Sequence, residues 1–213
     1  MGIKNLGKTN IPIIKINWFE IVGVCEHPVP LDVANLMFNV LWCHAPNAYH
    51  GDYDQALRQL NKFFKFFQSK NLKLLHVLDG KANHCKAPED ARRQEKRIGP
   101  HSRIEEALEQ GTIPTLSDYQ ACVCNTPRFI ALVAKLLDYL KLPFVVASDE
   151  ADGTLAARLA TEGIAISCDS DLLANGALLS NLLPWARAIR RARAGPCTCF
   201  TGFYEFSKRR NRR

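Results

Sequence analysis

The chain has no run of about 18 consecutive apolar residues, and its first ten residues, MGIKNLGKTN, contain no apolar core. We therefore expect a protein that neither spans a membrane nor is secreted. Its 213 residues, of which 47% are apolar and 23% charged, are still enough to bury a large core within one domain.

Cys-x-x-Cys motifs are also absent, since none of the eight cysteines has that spacing. Two Cys-x-Cys pairs are present, and they do not match the paired spacing of a zinc ribbon. Without a signal for secretion, we expect these cysteines to be reduced thiols rather than disulfides.

Excess positive charge is absent from most of the chain. Residues 1–182 contain 19 basic and 20 acidic residues, whereas residues 183–213 contain nine Lys and Arg and one acid. The net charge of +7 therefore comes from a basic C-terminal tail, 183–213, that follows the body of the protein, 1–182. A basic tail favours a polyanionic partner, and it is equally typical of a solubilising or nuclear-import segment.

The body alternates between helix-like and strand-like segments. Helices are expected at 33–42, 53–68, 86–110, 128–141 and 150–161, and strands at 29–31, 72–78, 143–147 and 163–168. This alternation predicts an α/β fold with a mostly parallel sheet. Pro30 cannot donate a hydrogen bond to a neighbouring strand, so we expect an irregular or edge strand there.

Acidic residues follow four of these predicted strands. They are Asp32, Asp79, Glu150, Asp152, Asp169 and Asp171. One such acid is usually a helix cap, but parallel strands deliver all six to one edge of the sheet, where ligands bind. Because like charges repel, the cluster predicts bound cations, and carboxylates favour Mg²⁺ or Mn²⁺.

This ordered set of motifs resembles the flap endonuclease/XPG family of structure-specific 5′ nucleases. The motifs are MGIKNL, LDVAN, VLDGKA, PFVVASDEADGTLA and SCDSDLLANG, and the resemblance covers roughly residues 1–180. It implies a PIN-like, three-layer core in which helices flank the sheet. It also implies hydrolysis of DNA near a single-strand/duplex junction, by a 5′ flap endonuclease or 5′ exonuclease.

The resemblance further implies roles for individual residues. The six carboxylates would hold two Mg²⁺ ions, for which Mn²⁺ would substitute, and water would be the nucleophile. Lys86 and Arg93 would be catalytic, because they would hold the scissile phosphate and offset charge in the transition state. Arg97 and Gly2 would bind nucleic acid. Composition alone would instead favour a solvated helix face for the basic residues of this stretch, Lys86, Arg92, Arg93, Lys96 and Arg97.

The chain departs from the family after Gly176. Nothing in residues 177–213 resembles the seventh metal-binding Asp or the helix–turn–helix element with which the family grips duplex DNA. The basic tail would supply phosphate affinity, and a protein partner would supply the missing grip. Two alternatives therefore stay open: a catalytically incomplete nucleic-acid-binding or scaffold homologue, and a PIN-type ribonuclease.

The expected partner is a nucleic acid, either branched or flapped DNA or RNA, and not a membrane. The segment SKRRNRR near the C-terminus is compatible with nuclear import. We therefore expect a nuclear protein. The six histidines show no nucleophile–base arrangement, which argues against a histidine-based hydrolase.

Overall fold

The computed structural model describes residues 27–81, 86–162 and 165–167. Its strands are β1 (Val29–Asp32), β2 (Leu74–Leu78) and β3 (Phe144–Val146). Its helices are α1 (Val33–Cys43), α2 (Ala45–Tyr49), α3 (Asp54–Ser69), α4 (Ala87–Glu109), α5 (Leu116–Cys122), α6 (Pro127–Tyr139) and α7 (Ala151–Glu162). The five predicted helices are confirmed to within a few residues, whereas α2 and α5 were not predicted.

The three strands form a parallel sheet in the order β1–β2–β3. Leu31 of β1 also forms a parallel bridge with Ile166, which lies in the predicted strand 163–168. The N–H of Asp32 donates to the carbonyl of Ile166, and the N–H of Ile166 donates to the carbonyl of Pro30, both at 2.8 Å. The predicted α/β fold with a parallel sheet is therefore confirmed.

Strand β1, where an irregular or edge strand was expected, is the outermost of the three strands and has one further parallel bridge within the described residues, to Ile166. Strand β1 has β2 on one side and Ile166 on the other. Pro30 meets Ile166 with its carbonyl oxygen, so the N–H that proline lacks is not needed for this bond.

Apolar side chains pack against both faces of β2. Leu74 and Leu78 belong to the main hydrophobic cluster, which also contains buried residues of α1, α3 and α6. Val77 faces the other way, because side chains alternate along a strand, and it packs with Ala151 and Leu155 of α7. The sheet is therefore covered by helix α7 on the face that carries Val77.

Helix α3, predicted at 53–68, buries one face in the core. Leu60, Phe64 and Phe67 are buried in the main cluster, and Leu57 is packed against it. Phe63 is buried as well. Three of the four phenylalanines of this helix are therefore core residues, and Phe66 packs against the core from its margin.

Helix α4 is long and polar, and Ile104 is its one buried residue. Arg103 joins it to α5 through Asp118, with 2.6 Å between Nη2 and Oδ1. The helix begins directly after Lys86, at the edge of the sheet where the acidic residues lie. Neither α4 nor any other helix in the described ranges is both long and apolar enough to cross a membrane.

Candidate active site

Asp32 is the last residue of β1 and the N-cap of α1. One of its carboxylate oxygens accepts the N–H of Asn35 at 3.3 Å, and the other accepts the Ser167 hydroxyl at 2.6 Å. The residue is 3% exposed. Burial raises the pKa of Asp32 to about 6, the charges of Asp152 and Asp79 add to this effect, and the two hydrogen bonds oppose it.

Asp79 follows β2 directly and reaches the beginning of α7. Its Oδ1 accepts the backbone N–H of Ala151 at 2.9 Å. Burial raises the pKa of Asp79, and the charge of Glu150 raises it further, while the Ala151 hydrogen bond and Lys86 lower it. This contact fixes the first turn of α7, which carries Asp152, beside the end of β2.

Gly80 makes this approach sterically possible. Its N–H donates to the carbonyl of Asp149 at 2.6 Å. A Cβ atom at residue 80 would lie 1.8 Å from the carbonyl oxygen of Ala147 and 2.9 Å from that of Asp149. Only glycine fits there. Sequence reasoning missed this role, although a glycine directly after a strand is a signal of close backbone approach.

Lys86 brings a positive charge to the acidic cluster. Its Nζ forms an ion pair with Glu150, and it lies 3.7 Å from Oδ2 of Asp152. The hydrogen bond to Glu150 raises the pKa of Lys86. The lysine offsets only part of the charge of the four carboxylates Asp32, Asp79, Glu150 and Asp152.

The other predicted site residues lie farther along α4 or outside the residues that the structure describes. Arg93 pairs within its own helix, with Glu89 at 3.2 Å and Asp90 at 3.7 Å. Arg97 lies one turn farther on and lines a separate cavity. Gly2, Asp169, Asp171 and the tail 183–213 lie outside the described residues.

Ser167 is a site residue that sequence reasoning missed. It is 1% exposed, and its hydroxyl donates to Asp32 across the sheet. The available signal was a polar residue at the end of the otherwise apolar segment GIAIS. A buried hydroxyl of this kind needs a partner, and the strand-end carboxylate is the one it finds.

The donor set matches the preference of Mg²⁺ for carboxylate oxygens. Crowded negative charge, which contributes to the raised pKa values of Asp32 and Asp79, also favours a cation. Within residues 27–81, 86–162 and 165–167, however, no three His, Cys, Asp or Glu side chains converge closely enough to hold a metal ion. The expected ligands Asp169 and Asp171 are not among these residues.

A groove of about 540 Å³ runs beside the first turns of α7. Its walls include Glu150, Thr154 and Arg158. Of the four carboxylates Asp32, Asp79, Glu150 and Asp152, Glu150 is the one that lines this groove.

A scan against models of known protein families finds no match, and a search of curated proteins finds none either.

Proposed function

We propose that this protein is a Mg²⁺-dependent nuclease that hydrolyses DNA phosphodiester bonds near a single-strand/duplex junction, as a 5′ flap endonuclease or 5′ exonuclease. One observation carries the proposal. Carboxylates from the end of β1 (Asp32), the end of β2 (Asp79) and the start of α7 (Glu150 and Asp152) lie close enough to affect one another electrostatically, and Lys86 pairs with two of them, Glu150 and Asp152. The ordered resemblance to the flap endonuclease/XPG family supports the choice of substrate.

The fold supports the same proposal. In the three-layer PIN-like core that we propose, helices cover both faces of a parallel sheet. The main hydrophobic cluster and the smaller one around Val77 lie on opposite faces of β2, which is what such a core requires. The carboxylates lie at the carboxyl ends of the strands, where ligands of parallel sheets bind.

In this proposal the acidic residues would bind metal ions and the basic residues would bind phosphate. Asp32, Asp79, Glu150 and Asp152 would hold the ions, together with Asp169 and Asp171. When bound, the metal lowers the pKa of a water and stabilises the leaving oxygen. Lys86 would exchange its carboxylate partners for an oxygen of the scissile phosphate. Arg93, two turns along α4, would bind the same phosphate or its neighbour.

A catalytically incomplete nucleic-acid-binding homologue is the second candidate. The observation that favours it is that no three candidate metal ligands converge among the described residues. The same experiment separates the two candidates, because a scaffold would bind DNA without cleaving it.

The test is cleavage of an end-labelled 5′-flap duplex by the full chain, with Mg²⁺ or with EDTA. Asp79→Asn keeps the acceptor for Ala151 but removes the charge, so we expect a rate at least about a hundredfold lower. Asp149→Asn is the matched control. Asp149 is an exposed residue next to the site, so the cleavage rate of this variant should equal that of the wild type.

The outcomes of this test are distinct. Metal-dependent cleavage near the junction that is lost in Asp79→Asn supports the nuclease. Binding without cleavage of DNA or RNA, in Mg²⁺ or Mn²⁺, contradicts it and favours the scaffold. Cleavage of a matched RNA but not of DNA favours the PIN-type ribonuclease.

A further inference from the structure

We propose that a cavity between α2, α4 and the connection from α5 to α6 binds one unpaired nucleobase of the substrate strand. This cavity is separate from the carboxylate cluster. The inference rests on the proposed function, because it assumes a nucleic-acid strand whose phosphates run along α4. It adds a second contact that would hold the single-stranded part of that substrate.

The size of the cavity suits one flat ring system. Its volume is about 270 Å³, and its lining includes Tyr49, Tyr53, Arg97, His101, Cys122 and Thr126. Pockets for drug-sized ligands occupy about 300–1,000 Å³. A single base therefore fits this volume better than several nucleotides would.

The aromatic wall of the cavity is held in place by ring contacts. The ring of Tyr49 lies 5.3 Å from that of His101 and 5.4 Å from that of Tyr119. Tyr119 is buried, whereas Tyr49 is only partly so. A fixed and partly accessible aromatic ring is the usual platform on which an unpaired base stacks without sequence preference.

Helix α4 carries three basic residues on one side between the carboxylates and the cavity, and Lys86 and Arg93 would have to exchange their present carboxylate partners for phosphates. Lys86, Arg93 and Arg97 are seven and four residues apart, so they lie within about 40° of one another around the helix. At a rise of about 1.5 Å per residue, Arg97 lies about 16 Å beyond Lys86. That distance equals about five stacked nucleotides at ~3.4 Å each.

Arg97 can supply a phosphate contact at the cavity, and none of the cavity's described lining residues is acidic. An acid outside the lining, Glu105, pairs with the lining residue His101 at 3.2 Å. A second guanidinium lies near the rim of the cavity, because a Cβ atom on the lining residue Gly51 would be 3.7 Å from Nη1 of Arg128. An arginine beside an aromatic ring suits a nucleotide, whose base stacks while its phosphate pairs.

The primary test changes the substrate and leaves the protein intact. Binding of labelled 5′-flap duplexes to the full chain would be measured by fluorescence anisotropy in EDTA. One abasic nucleotide would be placed in turn at each of the first seven positions of the single-stranded arm. We expect one or two adjacent positions, about four to six nucleotides from the junction, to weaken binding about 5- to 100-fold.

Protein variants then assign the effect to the cavity. Tyr49→Leu, which keeps the apolar volume, should weaken binding of the intact flap to the same extent. It should also abolish the further loss caused by the abasic position. The control Tyr139→Leu changes a tyrosine that is 76% exposed and should leave the abasic scan unchanged.

Arginine variants test the basic residues along α4. Arg97→Gln should weaken binding of both intact and abasic flaps. Arg92→Gln is its control on the same helix, because Arg92 lies about 120° from Lys86 and pairs with Glu89 at 2.8 Å.

Equal binding of all abasic substrates overturns the inference, as does an unchanged abasic effect in folded Tyr49→Leu protein. If that variant does not fold, the scan with wild-type protein still decides. Cleavage without an abasic effect overturns only the base site. A position-specific abasic effect without cleavage overturns only the proposed hydrolysis, and absence of nucleic-acid binding overturns both.

Discussion

At the scale of single residues, Asp32 links the chemistry of the site to the stability of the fold. Its carboxylate is almost fully buried, and its two hydrogen-bond donors, Asn35 and Ser167, only partly compensate for the loss of water. The protein keeps an acid at a position where a neutral side chain would be less costly. Such a trade of stability for function is typical of functional sites.

The cost of Asp32 should appear as a pH dependence of unfolding in EDTA. The pKa is about 6 in the fold and 3.8 otherwise. Well below pH 3.8 the carboxyl is neutral in both states, so the contribution of Asp32 to the free energy of unfolding is fully present. As pH rises from about 4 through 6, the carboxyl ionises in the unfolded state before it does in the fold, and the free energy of unfolding falls by up to about 3 kcal/mol. Asp32→Asn should therefore gain about that much over the wild type between pH 4 and 7.

The wild type must be compared with Asp32→Asn because His76 changes the free energy of unfolding with pH in the opposite direction to Asp32. Burial lowers the pKa of His76 to about 4 from 6.5, so its stability is present above pH 6.5 and lost as pH falls through 4. Both proteins contain His76, and its contribution cancels in the difference. Urea unfolding at the two pH values measures this difference, and an equal difference at both would contradict the prediction.

At the scale of elements, the site depends on how closely β2 approaches the segment that leads from β3 into α7. Backbone hydrogen bonds continue past the ends of the strands. The N–H of Ala147 donates to the carbonyl of Leu78 at 2.9 Å, and the N–H of Gly80 donates to that of Asp149 at 2.6 Å. Glu150 and Asp152 follow directly. Backbone contact at Gly80 thus sets the position of Glu150 and Asp152, two of the four carboxylates of the site.

Gly80→Ala should separate these segments. Its Cβ would meet backbone atoms that cannot rotate away, so we expect a loss of about 3 kcal/mol or more and loss of cleavage. Gly153→Ala is the matched control, since a Cβ there meets nothing within 4 Å. As a substitution within α7, it should be neutral or stabilise by up to about 1 kcal/mol. Thermal unfolding measures both, and equal effects would show that the contact at Gly80 is dispensable.

At the scale of the whole molecule, positive charge is concentrated in residues 183–213, while residues 1–182 carry a net charge of −1. Removing the tail should therefore weaken binding of duplex DNA and flatten the slope of log affinity against log salt. The site contacts would remain, so Mg²⁺-dependent cleavage at low salt should persist. Fluorescence anisotropy titrations of DNA at roughly 50 to 200 mM salt measure this slope for the full chain and for the shortened one. An unchanged slope would mean that the tail does not contact phosphate.

Much of the architecture follows from the sequence alone. The helical period of α3 and α6, the charged, helix-like composition of α4 and the short apolar runs of β2 and β3 are local patterns, so they can be recognised from the sequence. Alternation of these elements implies parallel strands, which in turn predicts that Asp32, Asp79, Glu150 and Asp152 share one edge. The short helices α2 and α5 carry too few turns for a periodic signal, and they were missed.

Other features were decided only by the tertiary structure. The bond from Ser167 to Asp32 spans 135 residues, and the ion pair of Lys86 with Glu150 spans 64. The cavity joins Tyr49 to His101 from two helices that no local pattern relates. Periodicity determines which face of an element is apolar, but such contacts depend on the distance and angle at which packed elements meet, and the folded backbone alone sets these.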